Sequence, residues 1–269
     1  MQTTRPIVRY HGGKWILAPW IISNFPPHRI YTEVFGGAAS VLLRKSRVYA
    51  EVYNDLDGEI VNLFQVARDH GQQLKELLRL TPYSRAEFDL SYEPSENPIE
   101  QARRTVVRAF MGFGSNSHNK KTGFRGFARK QSASPASDWV NYPKAFESII
   151  DRLQGVVIEN RDALEILKAQ DSISTLHYVD PPYVSETRYN GKDYRHELTA
   201  SDHRDLFDTL QSLKGMVVLS GYDCELYQDL YSSWKCIRKD ALADGAKKRV
   251  ECLWLNHAAV KNSLQLSLF

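Results

Sequence analysis

The sequence predicts an α/β protein built on a doubly wound, mostly parallel sheet of seven strands, with a smaller, mainly helical domain inserted. Three observations carry this reading. Short β-rich runs alternate with helical patterns at both ends of the chain. Two of those runs stop at Gly36-Gly37 and at Pro181-Pro182, where a strand gives way to a loop. The stretch in between, residues 65–154, breaks the alternation. The core is therefore expected over residues 1–64 and 155–269, and the inserted domain over residues 65–154.

Arg29 to Phe35 reads as the first strand, and a helix-like run, Ala38 to Lys45, follows its glycines. Val48 to Tyr53 reads as the second strand, with a helix from Asp57 to Arg68. In the inserted domain Leu74, Leu77 and Leu78 fall at helical spacing, and a further helix is expected from Ile99 to Phe110. Gly112 to Gly123 is polar and turn-rich, a loop or a hairpin. Val156 to Glu159 resumes the core as the third strand, with a helix from Asp162 to Ala169. Thr175 to Val179 is the fourth strand, Thr199 to Leu213 a helix and Gly215 to Ser220 the fifth strand. Trp234 to Lys239 and Val250 to Asn256 complete the seven.

The 269 residues are 42% hydrophobic and 25% charged, which allows a sizeable core and argues against global disorder. A net charge of +3 is weak evidence for a polyanionic partner, so the distribution of charge matters more than its sum. Cys224, Cys236 and Cys252 form no Cys-x-x-Cys pair, which suits a reduced compartment and buried or idle thiols. No stretch approaches the roughly 20 apolar residues of a membrane span, and the chain is expected in the cytosol.

Strand, Gly36-Gly37, then helix is the geometry of a Rossmann-like turn, where backbone approaches a ligand at a helix N-terminus. Asp55 follows the second strand about 20 residues later, where an acidic side chain accepts hydrogen bonds from ribose hydroxyls. It could equally cap the helix that begins near Asp57. Together these features suggest an adenosine-containing ligand, with a nicotinamide dehydrogenase as the competing reading. Tyr178-Val179-Asp180-Pro181-Pro182-Tyr183 decides between them. Two consecutive prolines forbid a continuing strand or a helix interior, so they hold a rigid loop at the end of the sheet where α/β ligands bind. Asp180 supplies carboxylate acceptors there, and Tyr183 a flat ring.

In their order, these segments resemble the Dam-type family of DNA adenine-N6 methyltransferases, over nearly the whole chain. Tyr10-His11-Gly12-Gly13-Lys14 is similar to the family's N-terminal aromatic-x-Gly-Gly-Lys motif, and Glu33 to Ser40 to its Phe-x-Gly-x-Gly loop. Asp55-Leu56-Asp57 matches its ribose-binding segment, and Glu159 to Asp162 the segment whose Asp contacts the cofactor adenine. Arg249 to Asn256 resembles its last core strand. Ala39 departs from the pattern, standing where a second glycine is expected.

The resemblance implies a Rossmann-like S-adenosyl-L-methionine-dependent methyltransferase core. Its donor would leave as S-adenosyl-L-homocysteine, its substrate would be double-stranded DNA, and it would need no metal. It implies a pocket formed by Tyr10, Lys14, Phe35, Gly36, Gly37, Ala38, Asp55, Asp162 and Asp180. It also implies catalysis by Asp180, Pro181, Pro182 and Tyr183 on an adenine flipped out of the duplex. N4-cytosine methylation, more often with Ser in place of Asp180, is an alternative. So are RNA or protein-amide methylation and an inactive DNA-binding module. A cognate restriction endonuclease and the choice of monomer or weak dimer stay open. Family members often act on GATC, but Gly112 to Gly123 does not carry their usual GATC-reading pattern.

From Arg103 to Lys130 the chain holds eight basic residues and no Asp or Glu, with Phe110, Phe113, Phe124 and Phe127 interleaved. Lys120, Lys121 and Arg129 suit phosphate neutralisation, and Asn116, Ser117, His118 and Arg125 suit base edges. For Arg103, Arg104 and Arg108 a solvated helix face is the simpler reading. A second candidate DNA loop follows the catalytic motif and includes Ser185, Arg188, Tyr189, Lys192, Tyr194 and Arg195.

Overall fold

The computed structural model describes residues 3–114, 117, 120–126, 134–184, 195–242 and 248–265. The chain divides into two compact units. One comprises Met1–Ala18, Gly37–Lys45 and Asp57–Ile158, the other Pro19–Gly36, Ser46–Leu56 and Glu159–Phe269.

The second unit carries nearly all of the sheet. Its strands are β1 (Ile30–Glu33), β2 (Ala50–Asn54), β4 (Thr175–Val179), β5 (Met216–Tyr222), β6 (Lys235–Leu242) and β7 (Lys248–Leu255). The remaining strand, β3 (Val156–Glu159), runs across the boundary between the units. The seven strands lie in the order β3-β2-β1-β4-β5-β7-β6. β1 pairs in parallel with β2 and β4, and β4 with β5, whereas β7 is antiparallel to β5 and β6. The mostly parallel seven-stranded sheet expected from the sequence is thus present.

β4 is buried at all five positions, as a central parallel strand covered on both faces must be. Val34, Val52, Val179, Leu206, Leu219 and Trp254 belong to the apolar cluster of this unit. Helices α1 (Ala18–Ser23), α7 (Ala163–Ala169), α8 (Ala200–Ser212), α9 (Glu225–Leu230) and α10 (His257–Gln265) complete it. Thr199 and Asp202 close a capping box on α8.

His177, on β4, is fully buried with Nδ1 2.8 Å from the Thr32 hydroxyl of β1. Burial holds its imidazole down at about 4 from 6.5, and nearby Asp171 offsets this only in part. The folded chain keeps His177 neutral, whereas the unfolded chain takes up the proton more readily. Its contribution is complete above about 6.5 and is lost as the pH falls towards 4. Urea unfolding should show stability falling across that window by up to about 3 kcal/mol. His177→Gln should flatten the slope, and an unchanged slope would contradict the assignment.

The first unit is mainly helical: α2 (Gly58–Asp69), α3 (Gly71–Leu80), α4 (Arg85–Leu90), α5 (Pro98–Met111) and α6 (Pro135–Leu153). Asp57 caps α2 by accepting from the Glu59 amide, and Asn97 caps α5 ahead of Pro98 at its first position. Phe110, Trp139, Tyr142 and Phe146 form an aromatic core between α5 and α6.

The helix expected from Ala38 to Lys45 is absent, and turns take its place. Gly37 and Ala39 have φ of +48° and +49°, which no right-handed helix accommodates. Among the described residues no helix is long and apolar enough to cross a membrane.

Candidate active site

The strand order turns back between β1 and β4, with β2 and β3 on one side and β5, β7 and β6 on the other. Glu33 of β1 lies opposite Tyr178 of β4, so the Phe35-Gly36 loop and the Asp180 loop leave neighbouring strands at one edge. Such a switch point, at the carboxyl ends of parallel strands, is where open α/β sheets bind ligands.

Asp180 is the first residue past β4 and is half-buried. On the adjoining strand Leu219 pairs with Val179, which sets Ser220 beside Asp180. The Ser220 hydroxyl donates to Asp180 Oδ1 at 2.6 Å. The Tyr178 hydroxyl lies 3.2 Å from Ser220 Oγ. Tyr183 donates from its hydroxyl to Glu251 Oε2 at 2.9 Å, and its ring stands edge-on to Tyr222 with centroids 4.5 Å apart. Burial, with Asp180 and then Glu251 adding to it, holds the Tyr183 phenol well above its usual range, so it keeps its proton and donates.

The structure therefore brings Asp180 and Tyr183 together with two residues that the motif analysis did not single out. Ser220 is 1% exposed and Glu251 7%. The sequence signal for Glu251 is a carboxylate inside the apolar run Val250-Glu251-Cys252-Leu253-Trp254-Leu255. Ser220 leaves no comparable mark.

On the β1 side, a Cβ built on Gly36 would lie 2.1 Å from Tyr53 Cε2. Asn54, buried at the end of β2, ties three segments together. Its Nδ2 donates to the Val34 and Arg161 carbonyls, each at 3.0 Å, and its Oδ1 accepts from the Arg161 amide at 3.0 Å. Asn160 donates to the Asp55 carbonyl at 2.8 Å. The cap of α2 is Asp57, so the capping role weighed for Asp55 falls to its neighbour. Asp162 caps α7, its Oδ1 accepting from Leu164 and Glu165.

Within the first unit, the Gly13 amide donates to the Tyr10 carbonyl, and the buried Lys14 ammonium donates to the Gly12 carbonyl at 2.8 Å. Gly37 approaches the Tyr10 ring so closely that a Cβ would lie 2.9 Å from it. Ala39, where the resemblance expects glycine, is fully buried and keeps the left-handed backbone, at a cost of about 1–2 kcal/mol. A cleft of about 350 Å³ is lined in part by Tyr10, Gly13, Trp15, Ala38 and Ser40.

The basic window resolves into two classes. Arg103 pairs with Glu87 and Glu100, Arg104 with Glu100, and Arg108 with Glu59, so these three stabilise the helices. Lys120 and Lys121 are exposed, and Lys121 lies over the Tyr92 ring at 5.8 Å. The Tyr83 hydroxyl donates to the Arg125 carbonyl, and an isolated antiparallel bridge joins Gly112 and Phe124. Ser117 is fully buried in close approach to Gly112. Tyr83 and Tyr92, missed by the charge pattern, anchor this segment through their hydroxyls. Asn116, His118, Arg129, Arg188 and Tyr189 lie outside the described residues.

A model of the D12 class N6 adenine-specific DNA methyltransferase family matches residues 10–244. The chain is also similar to the Type II methyltransferase M1.LlaDCHI of Lactococcus lactis subsp. cremoris, 25% identical over 273 residues that cover 90% of each chain.

Proposed function

The chain belongs to the D12 class N6 adenine-specific DNA methyltransferase family, and on that premise we propose which of its groups carry the reaction. It moves a methyl group from a donor to the N6 amino group of adenine in DNA. We take S-adenosyl-L-methionine as the donor. Bound, it supplies a methyl group on a positively charged sulfur, and S-adenosyl-L-homocysteine remains.

The residues present fit that donor. Glycine at 36 lets the loop after β1 pack directly against the Tyr53 ring, and Asp55 follows β2 at the same edge of the sheet. In this reading Phe35, Gly36, Gly37 and Ala38 hold the donor, with Tyr10 and Lys14 at its methionine end. Asp55 holds its ribose and Asp162 its adenine ring.

The amino nitrogen of adenine is a poor nucleophile because its lone pair is delocalised into the ring. Asp180 and the Pro181 carbonyl accept its two hydrogens, which pulls the nitrogen towards a pyramid and directs the lone pair at the methyl carbon. The bound donor would yield its methyl carbon to that lone pair and keep the carbon–sulfur bond pair on its sulfur. Asp180 stabilises the charge that develops on nitrogen and is the first acceptor of the surplus proton. Pro181 and Pro182 keep this loop rigid, so positioning supplies much of the rate. Tyr183 stacks on the flipped base. At 6% exposure its ring is covered, so stacking requires what covers it to move. The observation that carries this reading is the place of Asp180, half-buried beyond β4 and beside the β1 loop at the switch point.

Residues 65–154 act as the target-recognition domain, and Lys120 and Lys121 as phosphate contacts. The double variant Lys120→Ala, Lys121→Ala should weaken binding of duplex DNA. It should also lower the slope of log K against log salt by about 2. A slope equal to that of the parent protein would remove both lysines from the interface. The enzyme works in the cytoplasm on double-stranded DNA. The likeness to a Type II methyltransferase supports a restriction–modification setting.

Incubation with labelled S-adenosyl-L-methionine and unmodified plasmid DNA, followed by mass analysis of nucleosides, tests the whole reading. Label in N6-methyladenine is the expected result. Label in N4-methylcytosine, or none, overturns it.

A further inference from the structure

The Asp180 carboxylate is not oriented by its own loop alone. We propose that Ser220 is a positioning residue for transfer, holding Asp180 Oδ1 so that the carboxylate plane is fixed and Oδ2 is aimed at the adenine amino group. The inference rests on Asp180 being the acceptor of that amino group.

Geometry comes first. Asp180 and Ser220 each stand one residue beyond a paired position of two parallel strands, Val179 of β4 and Leu219 of β5. The separation of the two side chains is thus set by the pairing of β4 with β5. Ser220 donates at 2.6 Å, a length typical of a hydroxyl on a carboxylate. At 1% exposure no solvent competes for its proton.

The direction of the hydrogen bonds follows from counting protons. Ser220 has one, and it lies on Asp180 Oδ1. The Tyr178 hydroxyl, 3.2 Å from Ser220 Oγ, must then be the donor to Ser220. Burial, with Asp180 adding to it, keeps the Tyr178 phenol protonated. Tyr183 is the weaker competitor for Ser220, at 3.4 Å, because its proton goes to Glu251 at 2.9 Å. Tyr178, Ser220 and Asp180 form a chain polarised towards the carboxylate. A carboxylate free to rotate about its Cβ–Cγ bond would sample many directions for Oδ2. One held at Oδ1 meets the amino group already oriented, and that advantage is realised in the transition state rather than in binding.

The test is single-turnover and steady-state methyl transfer from tritiated S-adenosyl-L-methionine to unmodified plasmid DNA. Ser220→Ala should lower kcat by about 10- to 100-fold, the effect of one charge-assisted hydrogen bond. KM for DNA and donor affinity should stay within about twofold. Ser220→Thr, which keeps the hydroxyl, should recover most of the rate. In an Asp180→Asn background Ser220→Ala should cost nothing further. Should Ser220→Ala fold poorly, Tyr178→Phe removes the donor to Ser220 and should lower kcat about threefold at unchanged KM.

A parental kcat in Ser220→Ala, with Asp180→Ala inactive, overturns the positioning role and leaves the acceptor role of Asp180 intact. A loss spread equally over donor affinity and kcat, or one that Thr does not restore, also overturns it. Parental activity in Asp180→Ala would instead remove the premise.

Discussion

Asp180→Ala should lower methyl transfer to DNA by about 10³-fold or more, with donor affinity within about threefold of the parent protein. Two effects are lost together. The amino group no longer has a carboxylate to draw its hydrogen out of the ring plane, and the charge that builds on nitrogen has no counter-charge beside it. Groups aimed at charge that develops only in the transition state are typically worth a factor of about 10²–10³ each. The Pro181 carbonyl remains, so a residual rate is expected. The side chain is half-buried at the end of a fully buried strand, and its loss leaves no apolar cavity in the core. The buried Ser220 hydroxyl loses its acceptor, however, so a melting temperature a few degrees below that of the parent is expected. Labelled transfer, donor titration calorimetry and a thermal melt make the measurement. Near-parental transfer in a folded variant would end the assignment.

The place of Asp180 at the end of β4 is legible in the sequence because Pro181 and Pro182 close the strand. Ser220 leaves no mark, and Glu251 only that of a carboxylate in an apolar run, because they meet Asp180 and Tyr183 from strands 40 and 68 residues further along. No local pattern encodes such a distance. The strands β3 and β4 were read at their full bounds, since apolar residues fill them and polar or proline residues close them. The short helices α4 and α9 have six residues each and offer too few turns for a period to show. α6 continues through Pro143, a residue that normally argues against a helix interior.

The turn at Ala38 to Lys45 carries a helical pattern for a different reason. Small and apolar residues favour a helix locally, while Gly37 and Ala39 are held at positive φ. The helix face expected to be solvated at Arg103, Arg104 and Arg108 is likewise covered, with Arg103 and Arg108 buried. Residues 103–130 hold no acid, but the acids that neutralise Arg103, Arg104 and Arg108 lie ahead of this window, Glu100 and Glu87 within 16 residues of Arg103 and Glu59 49 residues before Arg108. A window along the chain cuts off partners that helix packing supplies.

Gly36→Ala should lower donor affinity by about 10- to 100-fold and destabilise the fold by about 1–3 kcal/mol, the usual cost of overpacking a tight site. The added methyl would lie 2.1 Å from Tyr53 Cε2, 2.5 Å from Cδ2 and 2.9 Å from Cζ, distances that no pair of carbon atoms sustains. Tyr53 is fully buried on β2, so its ring has no open side to swing into. The loop is pinned as well, because the Gly36 amide donates to the Asn54 carbonyl at 2.8 Å, and Asn54 in turn holds the Val34 carbonyl. Either the ring or the backbone must move, and the backbone is the surface that the donor is proposed to meet. The cause is steric, which gives the prediction its own control: Tyr53→Leu in the Gly36→Ala background makes room and should recover part of the donor affinity. Donor affinity and a thermal melt are compared across the parent, the single variants and the pair. Parental values for Gly36→Ala would show that the loop can accept a side chain, and the glycine would then have no claim on donor binding.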